Sequence, residues 1–149
     1  MNFRMTIPPH GPAAETRLRV RYAETDQMGV VYYANYLVWM EVARMDWCRA
    51  RGVDYRRMER EEGIGLAVAE ASCRYRSPAR FDDEVAIRVW VEEANSRMVT
   101  FHYEMRVAGD DRLVATGETR HVFVDAAMRK ARCPVRYREM FGMSGGAGA

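Results

Sequence analysis

The segment Tyr22-Ala-Glu-Thr-Asp-Gln-Met-Gly29 places two carboxylates and a tyrosine just ahead of a glycine, and Val30-Val-Tyr-Tyr-Ala-Asn-Tyr36 follows. A carboxylate such as Asp26 can take a proton as a general base or attack as a nucleophile. Gly29 lets the backbone come close to another group. A helix is expected to begin at about Tyr32 or Tyr33, and the first turn of any helix carries free N–H groups at the positive end of its dipole. Such donors polarise a carbonyl or hold a developing oxyanion. Together these are parts for acyl-group hydrolysis without a metal or a serine. The same residues also have ordinary readings. An Asp before a helix is a common cap or turn residue, Gly29 can serve only a left-handed turn, and tyrosines at a helix start can be packing residues with a wetted hydroxyl.

The surrounding elements must position this loop. Arg17-Leu-Arg-Val-Arg-Tyr22 alternates charged and apolar residues, which predicts a half-buried strand. From about Val31 to Arg51 there is no proline or glycine, and Tyr36, Met40, Ala43 and Trp47 recur at helical spacing. Val38, Val42 and Met45 widen the stripe, so the helix is expected to be mostly buried, with Gly52 as its stop. A short helix is predicted over Tyr55–Glu62, ended by Gly63. After Ile64 the period becomes two, predicting strands over Leu66–Tyr75, through Val85, Ile87, Val89 and Val91, through Val99–Val107, and over Leu113–Val124. Asn95-Ser96 and Gly109-Asp110 mark turns. Pro134 is placed to open a short helix over Val135–Met140. The order reads as α+β: an antiparallel sheet of about five strands, the last four in a meander, packed on one long helix.

Composition bounds what this arrangement can be. The 149 residues are 48% apolar and 30% charged with a formal net charge of +2, which fits one globular domain and offers no electrostatic case for nucleic acid. Lys130 is the only lysine, so a single arginine near a site carries little weight here. Cys48, Cys73 and Cys133 form no CxxC pair, which removes a disulfide scaffold and a zinc ribbon. The longest uncharged run, Gln27 to Met40, is too short to span a bilayer. The start lacks the apolar stretch of a signal peptide, so a cytoplasmic protein is expected. Residues 1–15 read as a flexible lead-in, 16–141 as the domain and 142–149 as a glycine- and alanine-rich flexible tail. His102 and His121 are expected to be surface or half-buried strand residues, and Cys48 a packing residue. No metal is expected.

The run from Tyr22 to Tyr36 resembles the signature of hotdog-fold thioesterases of the 4-hydroxybenzoyl-CoA thioesterase type. It is also similar to the acyl-CoA thioesterase branch associated with the Tol–Pal system. The likeness continues through Glu41-Val-Ala-Arg44 and Tyr75-Arg-Ser-Pro-Ala-Arg-Phe-Asp-Asp83 into the last strand. The resemblance implies a hotdog fold, a sheet wrapped around a long central helix, and hydrolysis of an aryl or fatty acyl-CoA to free acid and coenzyme A. Asp26 matches the family's essential aspartate, and Tyr33 the position whose backbone N–H faces the thioester carbonyl. Tyr22 matches a site tyrosine of some members. Gly29, Tyr32 and Asn35 are expected to bind substrate. Coenzyme phosphates are expected to meet arginine either at the Asn95-Ser96-Arg97 turn, which the resemblance favours, or at the strand end with Arg74 and Arg76. Tyr33 departs from the Tol–Pal-associated branch, which often has histidine there; a backbone role survives that change and a side-chain acid–base role does not. No cofactor is implied beyond coenzyme A as part of substrate and product.

Assembly follows from the fold. A single sheet on one helix leaves open edges, and family members pair, so a homodimer or homotetramer is expected. Two other readings stand beside the acyl-CoA thioesterase. One is an acyl-carrier-protein thioesterase. The other is a non-catalytic acyl-thioester binding module, for which a carboxylate at position 26 would be unnecessary.

Overall fold

A computed structural model describes residues 13–143. Five antiparallel strands form one sheet: β1 (Ala14–Arg19), β2 (Gly65–Tyr75), β3 (Glu84–Ala94), β4 (Met98–Val107) and β5 (Arg112–Val124). The helix α1 (Asn35–Ala50) lies between β1 and β2 in sequence; α2 (Tyr55–Arg57), extended by a π turn over Met58–Glu62, follows it. A closing turn of helix, α3, covers Val135–Arg138 behind Pro134. Gly63, at φ 66°, ends the π turn where a stop was expected.

The sheet order is β1-β3-β4-β5-β2. The expected four-strand meander is therefore corrected to three strands. β3, β4 and β5 pair in succession, whereas β2 crosses to the far edge and pairs with β5, Gly65 opposite Val124 and Tyr75 opposite Ala115. β1 forms the other edge, Arg19 opposite Glu84. It opens at Ala14, so Ala14 and Glu15 belong to the sheet and not to a lead-in. It also closes at Arg19, which puts Tyr22 in a 3-10 turn (Tyr22–Glu24) rather than in the strand. Residues 1–12 of the predicted lead-in and 144–149 of the tail lie outside the described residues; within the tail, Met143 is buried.

Period-two alternation builds the core. Val85, Ile87, Val89 and Val91 of β3, with Phe101, Tyr103 and Met105 of β4, face Tyr36, Met40, Ala43 and Trp47 of α1. Gly117 makes room for α1 against β5: a Cβ there would collide with the Met40 Cε atom. Two expectations about burial are corrected. Leu37, Val38 and Val42 form an exposed apolar stripe on α1, because the sheet covers only one side of that helix. His121 is fully buried; its Nε2 meets Thr119 Oγ1 at 2.8 Å, and Phe101 packs edge-on against the ring. His102, half-buried against Glu118, and Cys48, buried with its thiol pushed up to about 12 by desolvation, match their structural readings. No helix among the described residues is long and apolar enough to cross a membrane.

Candidate active site

The loop between β1 and α1 is tied down mainly by backbone. Val20 N–H donates to Asp83 O (2.9 Å), Val31 N–H to Ala79 O (2.8 Å), and Tyr32 N–H to Glu24 O (2.9 Å). Asp26 N–H donates to Val30 O, and Gly29 N–H returns to Asp26 O, closing a tight turn at Gly29, φ 75°. That positive φ is the reason for glycine at this point.

The Asp26 carboxylate is half-buried. Its Oδ1 accepts the Met28 N–H at 2.8 Å, an Asx turn that fixes the side chain, and no bond to Oδ2 is present among the described residues. The carboxylate shares a cleft of about 360 Å³ with Val30, Val31, Tyr33, Tyr36, Tyr75, Arg76, Ser77 and Pro78. The ring of Tyr75 packs edge-on against Tyr36 (5.3 Å) and Tyr33 (6.5 Å). Burial, then the neighbouring Cys73 thiol, pushes the Tyr75 phenol up to about 12, so it stays protonated; it donates to Tyr33 O at 3.0 Å.

α1 begins at Asn35, two or three residues later than expected, with Ala34 as a cap that offers no side-chain acceptor. Tyr33 thus belongs to the turn before the helix. Its N–H still meets no acceptor among the described residues, so a donor of the expected kind stands free without being part of the helix itself. The chemistry available is a fixed carboxylate and an unpartnered backbone donor, carried by two residues that line one aromatic cleft.

The remaining predicted residues divide. Gly29 is in the turn beside Asp26. Tyr32 is exposed, its ring 4.6 Å from that of Tyr33, and it is not among the cleft's lining residues. Asn35 uses its Nδ2 on Glu24 O (2.8 Å), anchoring the loop to the helix. Tyr22 is 77% exposed and packs edge-on against Phe81, outside the cleft. Ser96 and Arg97 are not brought to Asp26. They sit in the β3–β4 hairpin, and β3 separates that hairpin from the Asp26 end by about 33 Å at about 3.3 Å per residue. Tyr36, Tyr75 and Pro78 complete the cleft; of these, Tyr75 and Pro78 were not singled out as site residues. The only signal for Tyr75 and Pro78 was their place in the Tyr75–Asp83 run, since no local pattern tells that β2 ends against the Tyr33 turn.

The family model for the thioesterase-like superfamily matches residues 20–140. The chain belongs to that superfamily. YneP of Bacillus subtilis (strain 168), provisionally named an acyl-CoA thioesterase, is 35% identical over 86% of this chain and 89% of its own. The acyl-CoA thioester hydrolase YbgC of Escherichia coli O6:H1 is 29% identical over 77% of this chain and 84% of its own. Among solved structures, the DHNA-CoA thioesterase of Staphylococcus aureus superposes with a TM-score of 0.82 at 29% identity, covering 87% of this chain and 88% of that one. The fold is the hotdog fold, and the chain is an enzyme of the thioester hydrolase kind.

Proposed function

We propose that this chain hydrolyses an acyl-CoA thioester, with Asp26 delivering the nucleophile and the Tyr33 N–H binding the carbonyl oxygen. The observation that carries this reading is the presence of a fixed Asp26 carboxylate and an unpartnered Tyr33 N–H in one cleft. The carbonyl oxygen, negative in the tetrahedral intermediate, is held by the backbone donor. Asp26 presents its unengaged oxygen to the carbonyl carbon, directly or through a water it deprotonates. In the direct route a C–O bond forms to Asp26 as the C–S bond breaks, and a water then hydrolyses the mixed anhydride, freeing the acid and giving the coenzyme thiolate its proton. In the other route the water oxygen bonds the carbon, its proton passes to Asp26 and from there to the departing thiolate as the C–S bond breaks. The rings of Tyr33, Tyr36 and Tyr75, with Val30, Val31 and Pro78, favour an aromatic acyl group.

The reading includes a homodimer paired through β2, itself able to form a tetramer. β2 is an 11-residue edge strand, hydrogen-bonded on one side only and exposed along most of its length. Bare edges of this length are normally covered. Two-fold antiparallel pairing would set the Gly65 end of one β2 beside the Tyr75 end of the other. The hairpin with Arg97 of the partner subunit then falls at the Asp26 end, supplying the phosphate contact that one chain alone leaves at its far end.

The test is thiol release from a panel of short, long and aromatic acyl-CoAs by wild type and Asp26→Asn. Release that is strongest for aromatic acyl groups and lost in the variant supports the reading. A folded Asp26→Asn protein with near-normal turnover overturns it. Silence on every acyl-CoA, with release from an acyl carrier protein, moves the substrate to the carrier.

A further inference from the structure

Glu24 lies two residues before Asp26, yet its environment is of another kind. Its side chain is 7% exposed, against a half-buried Asp26. A buried carboxylate is costly unless its oxygens are bonded. Both are: Oε2 accepts the Trp39 Nε1–H at 2.7 Å from the second turn of α1, and Oε1 accepts the Arg21 N–H at 2.8 Å, with Arg21 Nε at 3.4 Å. Burial by itself would raise the Glu24 pKa, but the bonds from Arg21 and Trp39 outweigh it and hold the group below the ordinary range, ionised. The main chain of Glu24 is engaged as well. Its carbonyl accepts Tyr32 N–H at 2.9 Å and Asn35 Nδ2 at 2.8 Å.

Four bonds therefore run from one residue to both sides of the loop that holds Asp26. The side chain grips α1 at Trp39 and the strand exit at Arg21. The carbonyl grips the peptide next to Tyr33. We infer that Glu24 is a positioning residue for thioester hydrolysis, setting the Asp26 carboxylate and the Tyr33 N–H at a fixed separation through its bond to Trp39. It touches neither substrate nor reacting atoms. The inference rests on the reading of Asp26 and Tyr33 above. The energetic logic is that a misplacement of about 1 Å in a reacting pair can cost on the order of 10²-fold in rate.

The experiment measures kcat and KM for Glu24→Gln, Trp39→Phe, the double variant and Asp26→Asn on the best acyl-CoA of the panel, with near-UV circular dichroism and Tm for each. Trp39→Phe removes the N–H donor together with part of a buried ring that packs on Tyr36, so its Tm is compared with that of Glu24→Gln, which leaves one acceptor for the two donors without changing the ring. The expected result is a fall in kcat of about tenfold in each single variant with KM within about twofold. The double variant should lose no more than the worse single, because both remove one bond. Folded single variants with wild-type kcat, or losses carried by KM alone, overturn the positioning role. So do independent, multiplying losses in the double variant. Failure of both singles to fold assigns Glu24 to structure alone. An active Asp26→Asn protein sinks the site reading itself, whereas an inactive one beside a fully active Glu24→Gln sinks only this inference.

Discussion

Two clefts lie at opposite ends of α1, and they differ in size and in kind. The one at the C-terminal end is about 1000 Å³ and is lined by Arg49, Arg56, Arg57 and Arg60 around Met45, Cys48 and Val53. The one at the N-terminal end is about 360 Å³ and holds Asp26 among aromatic rings. Volume favours the first. Chemistry favours the second. In the larger cleft the charges are largely answered: Arg57 Nε meets Glu61 at 2.8 Å and Arg49 meets Asp46 at 3.0 Å. In the smaller, a carboxylate oxygen and a backbone donor are left over after the fold has met its own needs. The contrast teaches that a site is recognised by unspent bonding capacity that converges, not by empty space.

Substitutions at the two ends test that contrast. Asp26→Asn is expected to cost about 10²–10⁴ in kcat, the usual worth of a general base. A thermal melt within a few degrees of wild type would show that the loss is chemical. Tyr33→Pro deletes the backbone donor and is expected to cost about 10²–10³ in kcat, whereas Tyr33→Phe keeps the donor and should stay within about threefold. Equal losses in the two Tyr33 variants would move the role from backbone to side chain. Arg97→Ala should raise KM about fivefold with kcat unchanged, the mark of a contact to a non-reacting part of the substrate. At the larger cleft, Arg57→Ala removes one exposed ion pair with Glu61, so kcat/KM should stay within about twofold and the melting temperature close to wild type. A larger fall in kcat/KM would give the arginine cleft a part in turnover.

Acid offers a further comparison, this time in stability. Beneath the C-terminal half of α1, Arg44 donates to Tyr103 OH at 3.2 Å, Tyr103 OH meets Thr119 Oγ1, and Thr119 meets buried His121. Desolvation, helped by Arg44, pushes His121 down to about 3 from an ordinary 6.5. The folded state therefore binds fewer protons than the unfolded chain below pH 6.5. The stabilising effect of a neutral His121 is complete above that pH and drains as pH falls toward 3, by at most about 1.4 kcal/mol per pH unit. Glu24 acts in the same direction lower down, since its depressed pKa supplies stability above about 4.5 that is lost on acidification. Urea midpoints from pH 7 to 4 should fall for wild type and fall less steeply for His121→Asn.

Much of this fold was legible wherever a local rule decides the outcome. Gly63 and Pro134 bound helices because backbone geometry acts on single residues, and the alternation from Val85 to Val107 marks two strands because each side chain must choose a face. What local rules do not decide was missed. α1 starts at Asn35 behind Ala34, a cap with no polar side chain to announce it. β2 lies beside β5 because of a crossover no neighbouring residue encodes. His121 is buried because Thr119 answers its Nε2, and Glu24 because Trp39, fifteen positions away, answers its carboxylate. In the site, Asp26 and Gly29 were visible as a turn; the aromatic wall at Tyr75 arrives from another element altogether.

That crossover also has a bearing on how the chain reaches its native state. β3, β4 and β5 zip together through short hairpins, whereas Gly65 must find Val124 and Tyr75 must find Ala115 across the whole intervening meander. Contacts of such sequence separation form slowly, since loop entropy is lost before they reward it. Tyr75 is both the end of that edge strand and a wall of the cleft. Refolding should therefore recover most of the sheet signal before it recovers turnover.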